Sequence, residues 1–264
     1  MTPLYMLAFD HRSSFSRDLL GVEGEPTAGE AARVSDLKRL VFEGFVEAIA
    51  DGVDGSTAGL LVDEQYGAGV ADSAHGLWVA LAMPVERSGR AAFEFEFGDS
   101  FGTQIETFDP TFAKVLVRYN PEGDAELNRV QCSDRDRFDR QMRPELVLET
   151  IRVVQARGVE PDVWKIEGLD QRWDCERVAR QARAGGRDHV TCIVLGRGAD
   201  GARVAHWLEQ AAPVDGFTGF AVGRTIWWNE LVAYVGGELD RSNAAKQIGR
   251  NYRQLVDVYE GCRR

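Results

Sequence analysis

The sequence predicts an α/β fold on a parallel sheet, arranged as a (β/α)8 TIM barrel whose fifth strand is not evident. Three observations predict it. Short apolar runs alternate with stretches of helical periodicity, as a parallel sheet with crossover helices requires. Several runs are apolar throughout, as strands covered on both faces are. Polar residues collect where the runs end, and barrels of this class build their active sites at strand ends. A length of 264 residues suits one such barrel. No linker or low-complexity stretch divides it, so residues 1–264 are read as one domain.

The strand candidates are 4–9, 59–63, 77–83, 113–119, 162–167, 190–195 and 217–222. Helices fill the gaps. Val34 to Ala50 carries Leu37, Leu40, Val41, Phe45, Val46 and Ile49 at helical spacing. Gly21–Gly29 before it reads as a polar loop. Pro144 suits the first position of a helix over 144–157, closed by Gly158. Asp170 is placed to cap a helix over 171–184, ended by Gly185-Gly186. Further helices fall near 200–212, 225–236 and 241–260.

Composition removes several function classes. A net charge of −11 argues against a general binder of phosphate backbones, so no nucleic-acid partner is expected and any anion site must be local. No apolar run approaches membrane-spanning length. The start, Leu4-Tyr5-Met6-Leu7-Ala8-Phe9, lacks the basic head and small-residue cleavage site of a secretory leader. Cys132, Cys175, Cys192 and Cys262 are scattered, with no close pair, and read as reduced thiols of a cytoplasmic protein. No metal-ligand spacing occurs, and neither metal nor cofactor is expected. Trp164 and Trp227-Trp228 read as core or subunit contacts. Barrels of this kind often self-associate through their outer helices, which makes a homo-oligomer one expectation.

The stretch Asp162-Val163-Trp164-Lys165-Ile166-Glu167-Gly168 carries the chemistry. Side chains alternate across a strand, so Val163, Lys165 and Glu167 share a face. A lysine and a carboxylate on the inward face of an apolar strand are costly to bury without a reason. Their pairing is one reason. Another is that a desolvated lysine has a lowered pKa and attacks carbonyls to form a Schiff base. The last two strands lead into Leu195-Gly196-Arg197-Gly198 and Val222-Gly223-Arg224-Thr225. Each places glycine and arginine before a helix, a combination suited to an anion such as phosphate. The bland alternative is a tight turn with its arginine paired to a surface carboxylate.

These residues resemble a known family. Leu7-Ala8-Phe9-Asp10-His11-Arg12, Leu61-Val62-Asp63-Glu64-Gln65-Tyr66-Gly67, Val115-Leu116-Val117-Arg118-Tyr119-Asn120-Pro121, the Lys165 stretch and Gly219-Phe220-Ala221-Val222-Gly223-Arg224 fall in barrel order. The sequence resembles the class I aldolases that include tagatose 1,6-bisphosphate aldolase, and more closely the 2-deoxy-5-keto-gluconate 6-phosphate aldolase-like domain. The resemblance implies cleavage of a phosphorylated keto-sugar through a Schiff base on Lys165. Lys114 resembles the family's second active-site lysine. Asp10, Glu86 and Glu167 are candidates for proton transfer. His11, Arg12 and Asp63 are candidate substrate contacts, and Gly196, Arg197, Gly198, Gly223 and Arg224 candidate phosphate contacts. Two other readings stay open: a non-catalytic sugar-phosphate binder, and an isomerase or epimerase with a carboxylate base.

One strand departs from the pattern. Asn120 to Pro161 should hold a helix, the fifth strand and another helix, at roughly 30 residues per strand–helix unit. Residues 120–143 are mostly polar, and only 144–157 reads as a helix. Either a segment is lost near Gln131-Cys132-Ser133, or the gene carries a true deletion. A deletion would leave open polar edges in the barrel wall.

Overall fold

The computed structural model describes residues 2–90, 93–116 and 137–263. They form two compact units, each built from stretches distant in sequence. The first unit takes Leu4–Val117 with Val222–Val256; the second takes Met1–Pro3, Arg118–Ala221 and Asp257–Arg264.

In the first unit, β1 (Leu4–Ala8), β2 (Ala58–Leu61), β3 (Ala80–Pro84) and β4 (Phe112–Lys114) pair in sequence order, all parallel. Leu7 faces Leu60, Leu60 faces Leu81, and Pro84 faces Lys114. β1 and β2 are buried almost throughout, which is why they read as unbroken apolar runs. The helices are α1 (Ser13–Leu20), α2 (Ala28–Ala50), α3 (Glu64–Leu77), α4 (Phe101–Phe108) and α8 (Arg224–Val235). α2 begins six residues earlier than its apolar periodicity suggests. Thr27 and Glu30 form a reciprocal capping box that sets the start in a polar stretch. The last helix, α9 (Arg241–Cys262), lies against α2. A Cβ on Gly44 would stand 2.5 Å from the Ile248 side chain, so only glycine admits this approach. Arg241 clamps the same pair of helices through Asp36 and Glu43, each at 2.9 Å.

In the second unit, β5 (Val163–Glu167), β6 (Thr191–Leu195) and β7 (Phe217–Val222) pair in order and in parallel. Its helices are α5 (Arg143–Ala156), α6 (Arg172–Ala182) and α7 (Gly201–Ala211). A turn of π-helix over Phe138–Met142 leads into α5, with Pro144 in its first turn, and Gly158 closes it in the left-handed region. Asp170 does not cap α6 as the sequence suggests. Its carboxylate accepts instead from the Trp207 indole at 2.7 Å and from Arg203 at 2.9 Å.

The fourth strand is shorter than expected and shifted. It ends at Lys114, because β3, its partner, ends at Pro84. Val115 and Leu116 beyond it are exposed, and Arg118-Tyr119-Asn120 lie outside the described residues. So do residues 120–136 of the interval that would hold the fifth strand; of the rest, residues 137–156 are helical and 157–161 form the turn and loop before β5.

The cysteines offer a test of this core. Cys175 and Cys192 are buried, and burial pushes the Cys175 thiol up to about 12 and raises that of Cys192 as well. Without thiolate they should resist alkylation at neutral pH. Among the described cysteines, iodoacetamide should label Cys262 in the native protein, and Cys175 and Cys192 only after denaturation, as read by peptide mass spectrometry.

Candidate functional site

Parallel register brings the ends of β1, β3 and β4 level, and charge gathers there. Lys114 is the last residue of β4; Asp10 and Glu86 each lie two residues past their strands. The Lys114 ammonium stands 2.5 Å from Glu86 and 3.1 Å from Asp10. Burial pushes its pKa down, but the two carboxylates outweigh burial and hold it above the ordinary lysine range. The Lys114 side chain faces the two carboxylates, as an active-site lysine must.

A hairpin after β3 fixes Glu86. Its backbone pairs across to Phe95, with Arg87 donating to the Glu94 carbonyl and Glu96 to that of Val85. Arg12, nearly buried, holds both arms: it donates to the Glu96 carboxylate at 2.8 Å and to the Glu86 carbonyl at 2.7 Å. The His11 ring meets Trp227 edge-on, and the Trp227 indole donates to the Ala8 carbonyl at 3.0 Å.

Three expected contacts of this unit have other occupations. Asp63 is fully buried. One oxygen accepts from the Tyr66 amide at the start of α3, and the other binds Lys38. Gly223 lets the backbone pass Ala8, whose carbonyl oxygen would lie 2.2 Å from any Cβ there. Arg224 pairs with Asp18 at 3.0 Å and lies over the Trp228 ring.

In the second unit, β5 alternates as expected. Trp164 and Ile166 are buried, while Val163, Lys165 and Glu167 share the half-buried face. Glu167 meets two guanidinium groups, Arg197 at 3.4 Å and Arg143 at 3.6 Å. Arg197 also binds Asp139 at 2.9 Å. Arg143, almost wholly buried, contacts Asp139, donates to the Gly168 carbonyl and lies over the Trp207 ring. Asp139 is pushed up by burial, but Arg143 and Arg197 prevail and hold it below the usual carboxylate range. Gly168 is obligatory, since a Cβ would lie 2.1 Å from the Trp207 ring. Gly196-Arg197-Gly198 forms a turn some residues ahead of α7 rather than its first turn. Arg197 and Gly198 are both left-handed, at φ 55° and 70°, and Asp200 caps the helix itself. A left-handed arginine is strained, a feature found at functional sites more often than elsewhere.

Sequence reading missed Lys38, the Arg12–Glu96 strap and the Asp139–Arg143 pair. Lys38 left a signal. It falls on the apolar stripe Val34, Lys38, Val41, Phe45, where a lysine is out of place.

Replacing Lys114 tests the first cluster. Lys114→Met leaves Asp10 and Glu86 close together without their cation, and should cost about 3 kcal/mol of stability at neutral pH. A group whose folded pKa is raised contributes stability below its unfolded pKa and loses it as pH rises through the folded one. Urea denaturation should therefore show the wild-type advantage full at pH 8 and fading above the ordinary lysine range.

A family model described as "Uncharacterized protein conserved in bacteria (DUF2090)" matches residues 1–138 and 135–263. The two matches overlap at 135–138, inside the interval where the fifth strand is not evident. Among curated proteins, none matches the sequence. Among solved structures, the chain is similar to a fructose-bisphosphate aldolase from Plasmodium falciparum, crystallised with TRAP and a small-molecule inhibitor. The TM-score is 0.67 at 12% identity, covering 100% of this chain and 92% of that one. The likeness shows the fold class, a (β/α)8 barrel, of which the described residues supply seven parallel strands.

Proposed function

The chain belongs to the DUF2090 family, and from that premise and its aldolase-like fold we propose that it is a carbon–carbon lyase. It cleaves a phosphorylated ketose or keto-acid sugar through a Schiff base on Lys165. One observation carries the reading. Of the two lysines on strands, Lys114 is held as an ammonium by Asp10 and Glu86, so it serves as a fixed charge and not as a nucleophile. Lys165, on the half-buried face of β5, is then the residue to attack a carbonyl. The likeness to an aldolase over the full length supports this, and supports reading 1–264 as one domain.

The Lys165 amine adds to the substrate ketone and water leaves, giving an iminium. A carboxylate removes the hydroxyl proton, the carbon–carbon bond breaks, and its electrons enter the iminium to form an enamine. The aldehyde fragment departs. Protonation of the enamine and hydrolysis then release the ketone and restore Lys165. Asp10, Glu86 and Glu167 are the carboxylates proposed for these transfers, and His11 a substrate contact. Arg197 and Arg224, with the Gly196–Gly198 and Gly223 backbones, are the proposed phosphate contacts. Arg12 and Asp63 drop out, because their polar groups are already committed inside the fold. Among the described residues no helix is long and apolar enough to cross a membrane.

Borohydride trapping tests the proposal. The protein is incubated with dihydroxyacetone phosphate, pyruvate or malonic semialdehyde, reduced, and mapped by mass spectrometry. An adduct on Lys165 is expected with one of them, and Lys165→Met should lower turnover at least ~10³-fold. A folded protein that traps no carbonyl at Lys165 would sink the aldolase reading.

A further inference from the structure

The chain has four lysines, Lys38, Lys114, Lys165 and Lys246, and its other basic positions are arginine. Lys38 is the anomaly among them. It sits on α2 with 0% of its surface exposed, where an apolar residue would pack at less cost. Its ammonium donates to the Phe9 carbonyl at 2.9 Å and to the Asp63 carboxylate. The rings of Phe15 and Tyr66 lie 5.4 and 5.8 Å away. Asp63 in turn accepts from the Tyr66 amide at 2.9 Å. One buried cation thus ties α2, the end of β1 and the start of α3.

We infer that Lys38 is a positioning residue for Asp10, fixing the peptide from which Asp10 leaves β1 so that its carboxylate meets the Lys114 ammonium. The inference rests on the reading that gives Asp10 a part in the chemistry. Phe9 immediately precedes Asp10. Its amide is held by the Leu61 carbonyl at 2.8 Å, and its carbonyl by Lys38. Both sides of that residue are therefore fixed before Asp10 turns toward Lys114 at 3.1 Å. The electrostatics agree: burial, with Arg12 adding to it, lowers Lys38 to about 7 against the negative charge of Asp10, which draws it up. A buried ion pair removed from one side leaves an uncompensated charge, which explains why Asp63 and Lys38 occur together.

The test reads the position of Asp10 without relying on turnover. With four lysines, protein carrying 13C-lysine gives a simple spectrum, and Lys114→Arg assigns Lys114. Lys38→Met alone strands the Asp63 charge and is prone to misfold. The double variant Lys38→Met with Asp63→Asn removes both charges and keeps a good helix cap. In that variant the Lys114 titration should fall by about one pH unit, because a displaced Asp10 no longer stabilises the ammonium. An unchanged Lys114 titration in the folded variant overturns the inference. A double variant that does not fold overturns it too, since the pair would then be scaffold for the whole unit. Borohydride trapping at Lys165 in the same samples judges the aldolase reading separately. Its failure in wild type would leave the Lys114 result standing.

Discussion

The ammonium of Lys114 between Asp10 and Glu86 is the contact around which the first unit's strand ends are arranged. Two carboxylates brought together at the edge of a sheet repel one another, and partial burial magnifies the repulsion. A single cation between them resolves the conflict and ties three strands that are distant in sequence. The same contact decides what Lys114 can do. An amine held protonated by two anions is a poor nucleophile and a good fixed charge. In the proposed lyase, chemistry that needs a neutral amine therefore falls to the other lysine on a strand, Lys165.

Supports behind this contact are backbone-directed. Lys38 holds the Phe9 carbonyl, Trp227 the Ala8 carbonyl, and Arg12 the Glu86 carbonyl. Strand ends are where carbonyls lose their ladder partners, so a side-chain donor both satisfies the orphan and fixes the direction of the next residue. The second unit repeats the device, with Arg143 donating to the Gly168 carbonyl just past Lys165 and Glu167. A peptide pinned in this way presents its neighbouring side chain with less loss of conformational entropy on binding.

Much of this was legible in the sequence, for physical reasons. Parallel strands buried on both faces must be apolar throughout, so β1, β2 and β7 announce themselves. The alternation in β5 placed Lys165 and Glu167 together correctly. Contacts set by three-dimensional register were not legible. Nothing local says that β4 stops at Lys114; the end of β3 decides that. The hairpin carrying Glu96 did leave a signal, the Ser88-Gly89 turn pair and the strict alternation Phe93-Glu94-Phe95-Glu96-Phe97, but its pairing partner at Glu86 is set only by the fold. Gly223 read as a phosphate contact because a glycine before an arginine has that look. Its close approach to the Ala8 carbonyl appears only once the chain has folded.

Arg197 and Arg224 illustrate how an ion pair at rest bears on ligand binding. Both are engaged, by Asp139 and Glu167 and by Asp18. Engagement does not withdraw an arginine from service. Arg224 and Asp18 are both around 30% exposed, and pairs so placed contribute about 0–1 kcal/mol. A phosphate offers charge-assisted, bidentate bonds that are roughly twice as strong as neutral ones. Exchange of a surface carboxylate, whose bond is also charge-assisted, for such a ligand therefore costs little, and the ligand's other contacts decide it. Arg12 and Arg143 differ. Their side chains are 8% and 4% exposed, and each spends a donor on a backbone carbonyl in a buried hydrogen bond. Pulling Arg12 away would strand the Glu86 carbonyl, and pulling Arg143 away would strand the Gly168 carbonyl and the buried Asp139 carboxylate, a cost that a soluble ligand does not return. Burial, more than charge, separates Arg224, whose ion pair is open to solvent, from the arginines that hold the strand ends in place, with the half-buried Arg197 between them.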